Sequence, residues 1–249
     1  MSGHSKWSQI KRKKAKTDQA RGKVFSKLVR EITTAARAGG DPKLNNRLKT
    51  AIEEAKAVNM PADTLKRAIQ KGTGELPGET YEEITYEGYG PAGVAVMIKV
   101  LTDNKNRTAP EIRHAFTKFG GNLGETGTVG WVFERKGVIL VEASRVDEDE
   151  LLGLALDAGA SDLRRVDSIF EITTTPQDLE GVRRALEGRG VPIQSAEVTY
   201  VPQSTVRLEG KDAQAVLRLV EGLEDLDDVQ HVYANFDIPD EVLEAQGAA

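Results

Sequence analysis

The chain has 249 residues, with 34 Lys and Arg against 39 Asp and Glu and no cysteine. That length fits one large domain or two to three small ones, each able to bury its own core. It offers no run near the roughly 20 apolar residues of a membrane helix, and without thiols it has no disulfide framework or thiolate metal site, which favours a reducing compartment. The net charge of −5 hides a division, because residues 1–74 carry 18 basic and 6 acidic side chains while residues 75–249 carry 16 and 33.

The first segment runs His4-Ser5-Lys6-Trp7 and then Lys11-Arg12-Lys13-Lys14-Ala15-Lys16. It has no apolar periodicity to hold it on a core, so it reads as an extended or loosely helical arm. Charges this dense repel one another and are best placed beside phosphates, where each neutralised phosphate releases counterions; a solvated terminus is the alternative. A mitochondrial presequence fits poorly, since the segment is neither Ser-rich nor Arg-rich and runs straight into a patterned helix, so a cytoplasmic location is expected. Trp7 can stack on a base or anchor the arm to the helices behind it, and both readings stay open.

A helix is predicted from Thr17-Asp18 to the Gly39-Gly40 pair, which offers a left-handed cap. Val24, Phe25, Leu28, Val29, Ile32, Ala35 and Ala36 form one apolar stripe, and Lys23, Lys27, Arg30, Thr34 and Arg37 fall on the opposite face. Glu31 is the only acid on this helix after Asp18, so the polar face suits a polyanion better than a merely solvated surface. A second helix is predicted to start at Asp41-Pro42 and bury Leu44, Leu48, Ala51, Ile52 and Ala55. A third, announced by Pro61, carries Leu65, Ala68 and Ile69 and stops at Gly72.

From residue 82 the pattern turns to strands. Strands are expected over 84–87 and 94–101 around the turn Gly88-Tyr89-Gly90-Pro91, then a helix over 108–118, a glycine-rich loop over 120–127 and a strand over 128–133. After Lys136-Gly137 follows a βαββαβ pattern, with strands over 138–142, 162–165, 168–173 and 195–200 and helices over 147–158 and 176–187; this is the ferredoxin-like order. A strand over 205–208, a helix over 212–223 and a strand over 229–236 can complete the sheet begun at 82. The expected fold is thus α+β with three domains. A basic three-helix nucleic-acid-binding domain (1–75) precedes two α/β sandwich domains, one discontinuous (76–134 and 204–240) and one ferredoxin-like and inserted into it (135–203), with a C-terminal tail (241–249).

The glycine-rich loop lies between a helix and a strand, whereas phosphate-binding glycine loops lead from a strand into a helix, so it reads as a turn. Residues 102–108 do follow a strand and open a helix. There Asn104, Lys105, Asn106, Arg107 and Thr108 make a candidate anion site, and the same residues also suffice for an Asx turn and a helix cap. No HExxH or nucleophile elbow occurs, and His4, His114 and His231 lie far apart, so a non-enzymatic protein without metal or cofactor is expected.

The ordered set Gly3-His4-Ser5-Lys6-Trp7, Arg21-Gly22-Lys23, Asn59-Met60-Pro61, Tyr86-Glu87-Gly88-Tyr89-Gly90-Pro91, Leu101-Thr102-Asp103-Asn104 with Asn106-Arg107-Thr108, and Gly120-Gly121-Asn122-Leu123-Gly124 resembles the YebC/PmpR family. That family includes the mitochondrial translational activator of cytochrome oxidase subunit I. The resemblance covers nearly the whole chain and weakens in the ferredoxin-like segment. It implies a three-domain α+β regulatory factor of the cytoplasm without cofactor. Family members are described as DNA-binding transcriptional regulators and as ribosome-associated factors that help translation through stretches such as consecutive prolines.

Both activities use a polyanion. Against sequence-specific DNA reading, no helix shows a helix-turn-helix pattern or an Asn, Gln and Arg reading face, and Lys-rich surfaces contact backbone rather than bases. A long duplex repels acidic domains, whereas a ribosome sets RNA beside basic proteins that those domains can contact. An RNA- or ribosome-associated translation factor is therefore favoured, with a duplex-binding transcriptional regulator as the alternative. The nucleic-acid contacts expected are Lys6, Trp7, Lys11, Arg12, Lys13, Lys14, Lys16, Lys23, Lys27, Arg30 and Arg37.

Overall fold

A computed structural model describes residues 18–166 and 168–239. Helix α1 (Asp18–Ala36) buries Leu28, Ile32, Ala35 and Ala36 against Leu48, Ala51, Ile52 and Ala55 of α2 (Asn46–Ala57) and Ala68 of α3 (Ala62–Thr73). Helix α2 starts four residues beyond the Asp41-Pro42 signal. Asp41 makes a turn instead, its Oδ1 accepting from the Lys43 N–H at 2.9 Å, and the cap is Asn45, which accepts from the Leu48 N–H at 3.0 Å. The Asn45 amide also donates to Ala35 O and Gly39 O, so it fastens the end of α1 as well as the start of α2. That second task favours Asn45 over Asp41. It leaves Leu44 in the turn at 88% exposure rather than in the core.

Gly72 does not stop α3; Gly74 does, in the left-handed conformation at φ 82°. Gly72 is where α1 crosses α3 most closely, since a Cβ there would run into Thr33 O and Ala36 Cβ. Arg47 of α2 bridges Glu31 of α1, at 2.7 Å, and Glu83 at the start of the next strand.

The first sheet is built from both sides of a long interruption. Strands β1 (Glu82–Tyr89) and β2 (Ala95–Thr102), helix α4 (Lys105–Lys118) and strand β3 (Asn122–Leu123) precede it. The order is β3-β1-β2-β9, and the last strand, β9 (Val229–Ala234), comes from after the interruption. Helix α4 begins one turn earlier than expected. Pro110 is tolerated best in a first turn, but the Asn104 side chain accepts from the Asn106 and Arg107 N–H groups and sets the start at Lys105.

The interruption is itself a unit with its own sheet. Strand β4 (Phe133–Glu142), helix α5 (Glu148–Asp157), strands β5 (Asp162–Val166) and β6 (Ile169–Thr174), helix α6 (Leu179–Gly188) and strand β7 (Ile193–Pro202) follow in turn. The order β5-β6-β4-β7 is the ferredoxin-like arrangement, over a core of Ile139, Val141, Leu151, Phe170, Ile172, Val182 and Leu186. The strand expected over 128–133 does not form, because Gly130–Val132 makes a 3-10 turn. Nor does Lys136-Gly137 break the chain. Gly137 pairs with Val198 inside β4, where Thr174 and Leu179 leave no room for a side chain.

The chain then returns through β8 (Val206–Arg207), α7 (Gly210–Glu224), β9 (Val229–Ala234) and β10 (Phe236–Asp237). Helices α4 and α7 cover the inner face of the first sheet, packing Ile112, Phe116, Val216, Leu217 and Val220 on Val96, Ile98 and Val100. Ala95 and Met97, from the alternate residues of β2, face Val129, Val132 and Phe133, joining the two sheets through a small second cluster with Tyr200 and Tyr233.

Candidate nucleic-acid interface

Of the expected contacts, Lys6, Trp7, Lys11, Arg12, Lys13, Lys14 and Lys16 lie outside the described residues. Lys23, Lys27 and Arg30 share one face of α1, as their spacing requires, and Arg37 follows in the turn just beyond its end. That face meets protein. Lys23 Nζ lies 3.3 Å from Asp225 Oδ1, Lys27 Nζ donates to Glu224 O at 2.6 Å, and Arg30 donates to Asp227 O while its second amino nitrogen sits 3.3 Å from Asp228 Oδ1. Arg37 donates to Tyr81 O at 3.1 Å, and the Arg30 guanidinium lies 5.9 Å from the centre of the Tyr81 ring. The stripe thus covers the C-terminal end of α7 and the turn into β9. Free carbonyls give a helix end a negative field. The last turn of α7 contains no basic residue, and α1 supplies the cations instead.

Asp228 is the centre of this junction, at 2% exposure. Its Oδ2 accepts from Thr108 Oγ1 at 2.6 Å, Arg107 Nη2 at 2.7 Å and Thr102 Oγ1 at 3.1 Å, and its carbonyl accepts from the Leu101 N–H. Of the candidate anion site over residues 104–108, Arg107 and Thr108 meet an anion, and it is a carboxylate of the same chain. Asn104 caps α4, the Asn106 N–H serves that cap, and Lys105 reaches Glu82 at 3.5 Å. Arg107 also pairs with Asp103 at 2.9 Å. Burial alone would raise the carboxyl pKa of Asp228. Hydrogen bonds from Thr108, Arg107 and Thr102 outweigh it and hold the group below its ordinary value. Asp228 and Asp103 in turn push the guanidinium of Arg107 upward.

The glycine-rich loop is organised by a second buried carboxylate. Glu87 of β1 accepts from the Val129 and Gly130 N–H groups at 2.7 Å and from the Gly127 N–H at 3.1 Å. Burial raises its pKa, the three N–H donors lower it, and the donors prevail. The glycines themselves allow close strand approach: a Cβ on Gly121 would lie 2.7 Å from Tyr89 O, and one on Gly88 2.5 Å from Asn122 O.

Two features carried no usable sequence signal. Asp228 is one acid among many in a stretch that reads as an ordinary turn. Trp131 reads as part of a strand, yet its ring is 70% exposed and is held by a hydrogen bond from Nε1 to Thr128 O at 3.1 Å. Tyr89, also part-exposed, directs its hydroxyl to the same carbonyl. Among the described residues no cluster of three His, Asp or Glu side chains is placed to hold a metal ion, and no helix is long and apolar enough to cross a membrane.

Residues 5–75 match the family model described as the TACO1/YebC protein N-terminal domain, and residues 81–236 match that of the TACO1/YebC second and third domain. A probable transcriptional regulatory protein of Pelotomaculum thermopropionicum is 62% identical over 243 residues, covering 96% of this chain and 100% of its own. One of Natranaerobius thermophilus is 57% identical over 248 residues, covering 98% and 99%. The crystal structure of a conserved hypothetical protein from Aquifex aeolicus is similar with a TM-score of 0.82 at 53% identity, covering 92% of this chain and 95% of that one.

Proposed function

Because the chain belongs to the TACO1/YebC family, matching its models over 5–75 and 81–236, we propose that it is a non-enzymatic, nucleic-acid-binding regulator of gene expression. In this reading it acts in the cytoplasm on RNA at the ribosome, relieving stalls at difficult sequences such as polyproline. Segregation of charge carries the proposal: the helical N-terminal third holds 18 of the 34 basic residues and only 6 of the 39 acids. Residues 1–75 form the binding domain. Residues 76–134 with 204–240, and the inserted 135–203, present acidic surface to basic proteins beside the RNA. Lys6, Lys11, Arg12, Lys13, Lys14 and Lys16 reach phosphates first, with Trp7 stacking or anchoring, and the α1 face follows.

A ribosome offers short exposed RNA segments among basic proteins, which accommodates the acidic domains; a long duplex repels them. The names of the relatives, probable transcriptional regulatory proteins, favour the second reading, a DNA-binding transcriptional regulator. Cosedimentation with ribosomes in lysate at moderate salt separates the two. The first predicts the chain in the ribosomal pellet and ribosomal RNA in its crosslinks. Absence from the pellet, with protection of one DNA sequence at about 10³-fold or greater discrimination, would establish the second. In either case Lys13→Glu with Lys14→Glu weakens binding to all sequences and flattens the salt dependence, by up to about 0.9 per lost contact on duplex DNA.

A further inference from the structure

The basic face of α1 and the turn that follows α7 form a clasp between two parts of one chain. Lys23, Lys27 and Arg30 meet the Asp225 and Asp228 carboxylates and the carbonyl oxygens of Glu224, Asp225 and Asp227. Four of the five residues 224–228 are acids, and the α7 terminus adds its dipole. A row of oxygens, some carboxylate and some carbonyl, spaced along one helix face offers the acceptors that a phosphodiester backbone also presents.

The clasp is graded from outside to inside. Its outer pair, Lys23 and Asp225, is 46% and 68% exposed, so water and salt compete with it. Its inner pair, Arg30 and Asp228, is 17% and 2% exposed. Asp228 nevertheless does not depend on α1. Its Oδ2 takes three hydrogen bonds from residues 102–108, whereas Oδ1 takes none and has Arg30 only as a neighbouring charge. When α1 lifts away, Asp228 keeps Arg107 as its counter-ion, while Lys23, Lys27 and Arg30 lose the oxygens of the turn. The helices connect to β1 by one segment, residues 74–81, which starts at left-handed Gly74 and has no regular structure from 77 to 81. Chain connectivity leaves the helices free to swing about that segment once the clasp and the exposed Arg47–Glu83 and Arg37–Tyr81 contacts near its end give way.

We propose that residues 224–228 are an internal stand-in for RNA phosphates, closing the basic face of α1 until an RNA backbone displaces them. The proposal rests on the reading that a nucleic acid is the partner, and it adds the surface used and the device that controls it. Apparent affinity falls with the fraction of competent molecules, so a clasp closed about nine-tenths of the time masks about tenfold in Kd.

The test uses the full chain and anisotropy with a labelled single-stranded RNA of about 20 nucleotides, longer than the roughly 4–16 that one binding domain covers. E224Q/D225N/D227N removes three acids from the turn while leaving Asp228 and the backbone carbonyls in place, and should tighten binding by about two- to fourfold, against a ceiling of about tenfold for full release. E148Q/D149N/E150Q, in the first turn of α5, changes net charge equally and should give only a small gain. Equal gains in the two variants, or no gain from the first, overturn the clasp. A second arm uses the absence of native cysteine. K23C/D225C joined by a short bismaleimide should bind more weakly than the same protein capped with N-ethylmaleimide, and equal affinity overturns the clasp. A gain on duplex DNA but not on RNA overturns the choice of RNA. Failure of wild type and both acid-neutralised variants to bind either polymer overturns the nucleic-acid reading itself, whereas binding by the wild type that the turn variant does not improve overturns only the clasp.

Discussion

Glu87, on β1, and Asp228, in the turn that leads into β9, are both buried carboxylates, at 6% and 2% exposure, and they are satisfied in different ways. The donors to Glu87 are three backbone N–H groups within residues 127–130. Asp228 takes its donors from side chains at 102, 107 and 108 and shares a charge contact with Arg30 of α1. A carboxylate held by one loop fixes that loop. One held by β2 and α4 and faced by the charge of Arg30 on α1 couples those elements to each other, and its loss is felt in all of them.

Removing each carboxylate tests the contrast, and Asp228→Ala has the largest expected effect. It leaves Arg107 and Arg30 without their shared anion and takes one acceptor from the Thr102 and Thr108 hydroxyls, which keep each other at 2.8 Å and the backbone of Asn104. Loss of one member of a buried charge network typically costs about 3–5 kcal/mol, to be read as a shift in the urea midpoint. A shift under about 1 kcal/mol would mean that Asp228 is not the junction described. Glu87→Ala should cost about 1–3 kcal/mol, the usual penalty for stranding buried donors, and its effect should be local. Hydrogen exchange should accelerate first at Gly127, Val129 and Gly130, with α1 unaffected; acceleration spread evenly over the chain would erase the distinction.

Acid adds a comparison that needs no mutation. Both carboxyls are depressed below their ordinary values, 4.5 for Glu87 and 3.8 for Asp228. A depressed group contributes its stability above the unfolded pKa and loses it as pH falls through the folded one. Stability should therefore be level near neutral pH and fall below about pH 4. The fall should be shallower in Glu87→Gln and Asp228→Asn, each already lacking one of the two contributions. An unchanged acid limb in both variants would assign acid sensitivity to other carboxyls.

The fold was legible because its signals are periodic and local. The α1 stripe, the alternation in the strands and the βαββαβ order each lie within a short window, so they survive without knowledge of tertiary contacts. Errors arose where a local signal had a tertiary competitor. Asp41 is a good cap in isolation, but Asn45 also reaches Ala35 and Gly39, and Leu44 was left outside. Gly72 and Gly137 read as boundaries when each marks a close approach of another element. The interface was less legible for the same reason. Charge and spacing put Lys23, Lys27 and Arg30 on one face, but their acceptors lie about 200 residues away, at separations of 197 to 202. Local pattern says that a residue is basic and where it points on its own helix; what it points at is set by the other elements.

The smallest expected effect lies at the rim of the same junction. Asp225→Asn removes one charge from a pair whose two side chains are largely open to water, so stability should change by no more than about 0.5 kcal/mol. Arg30→Ala, a few ångströms further in, acts where exposure has dropped to 17%, and it removes a contact with Tyr81 as well. Its cost should be clearly larger, about 1.5–3 kcal/mol, the range for hydrogen bonds to charged groups. Thermal unfolding of the two variants side by side reads the gradient directly. Equal shifts would mean that the contact between α1 and the turn is uniform across its width, and that Asp228 couples the elements no more strongly than any exposed pair does.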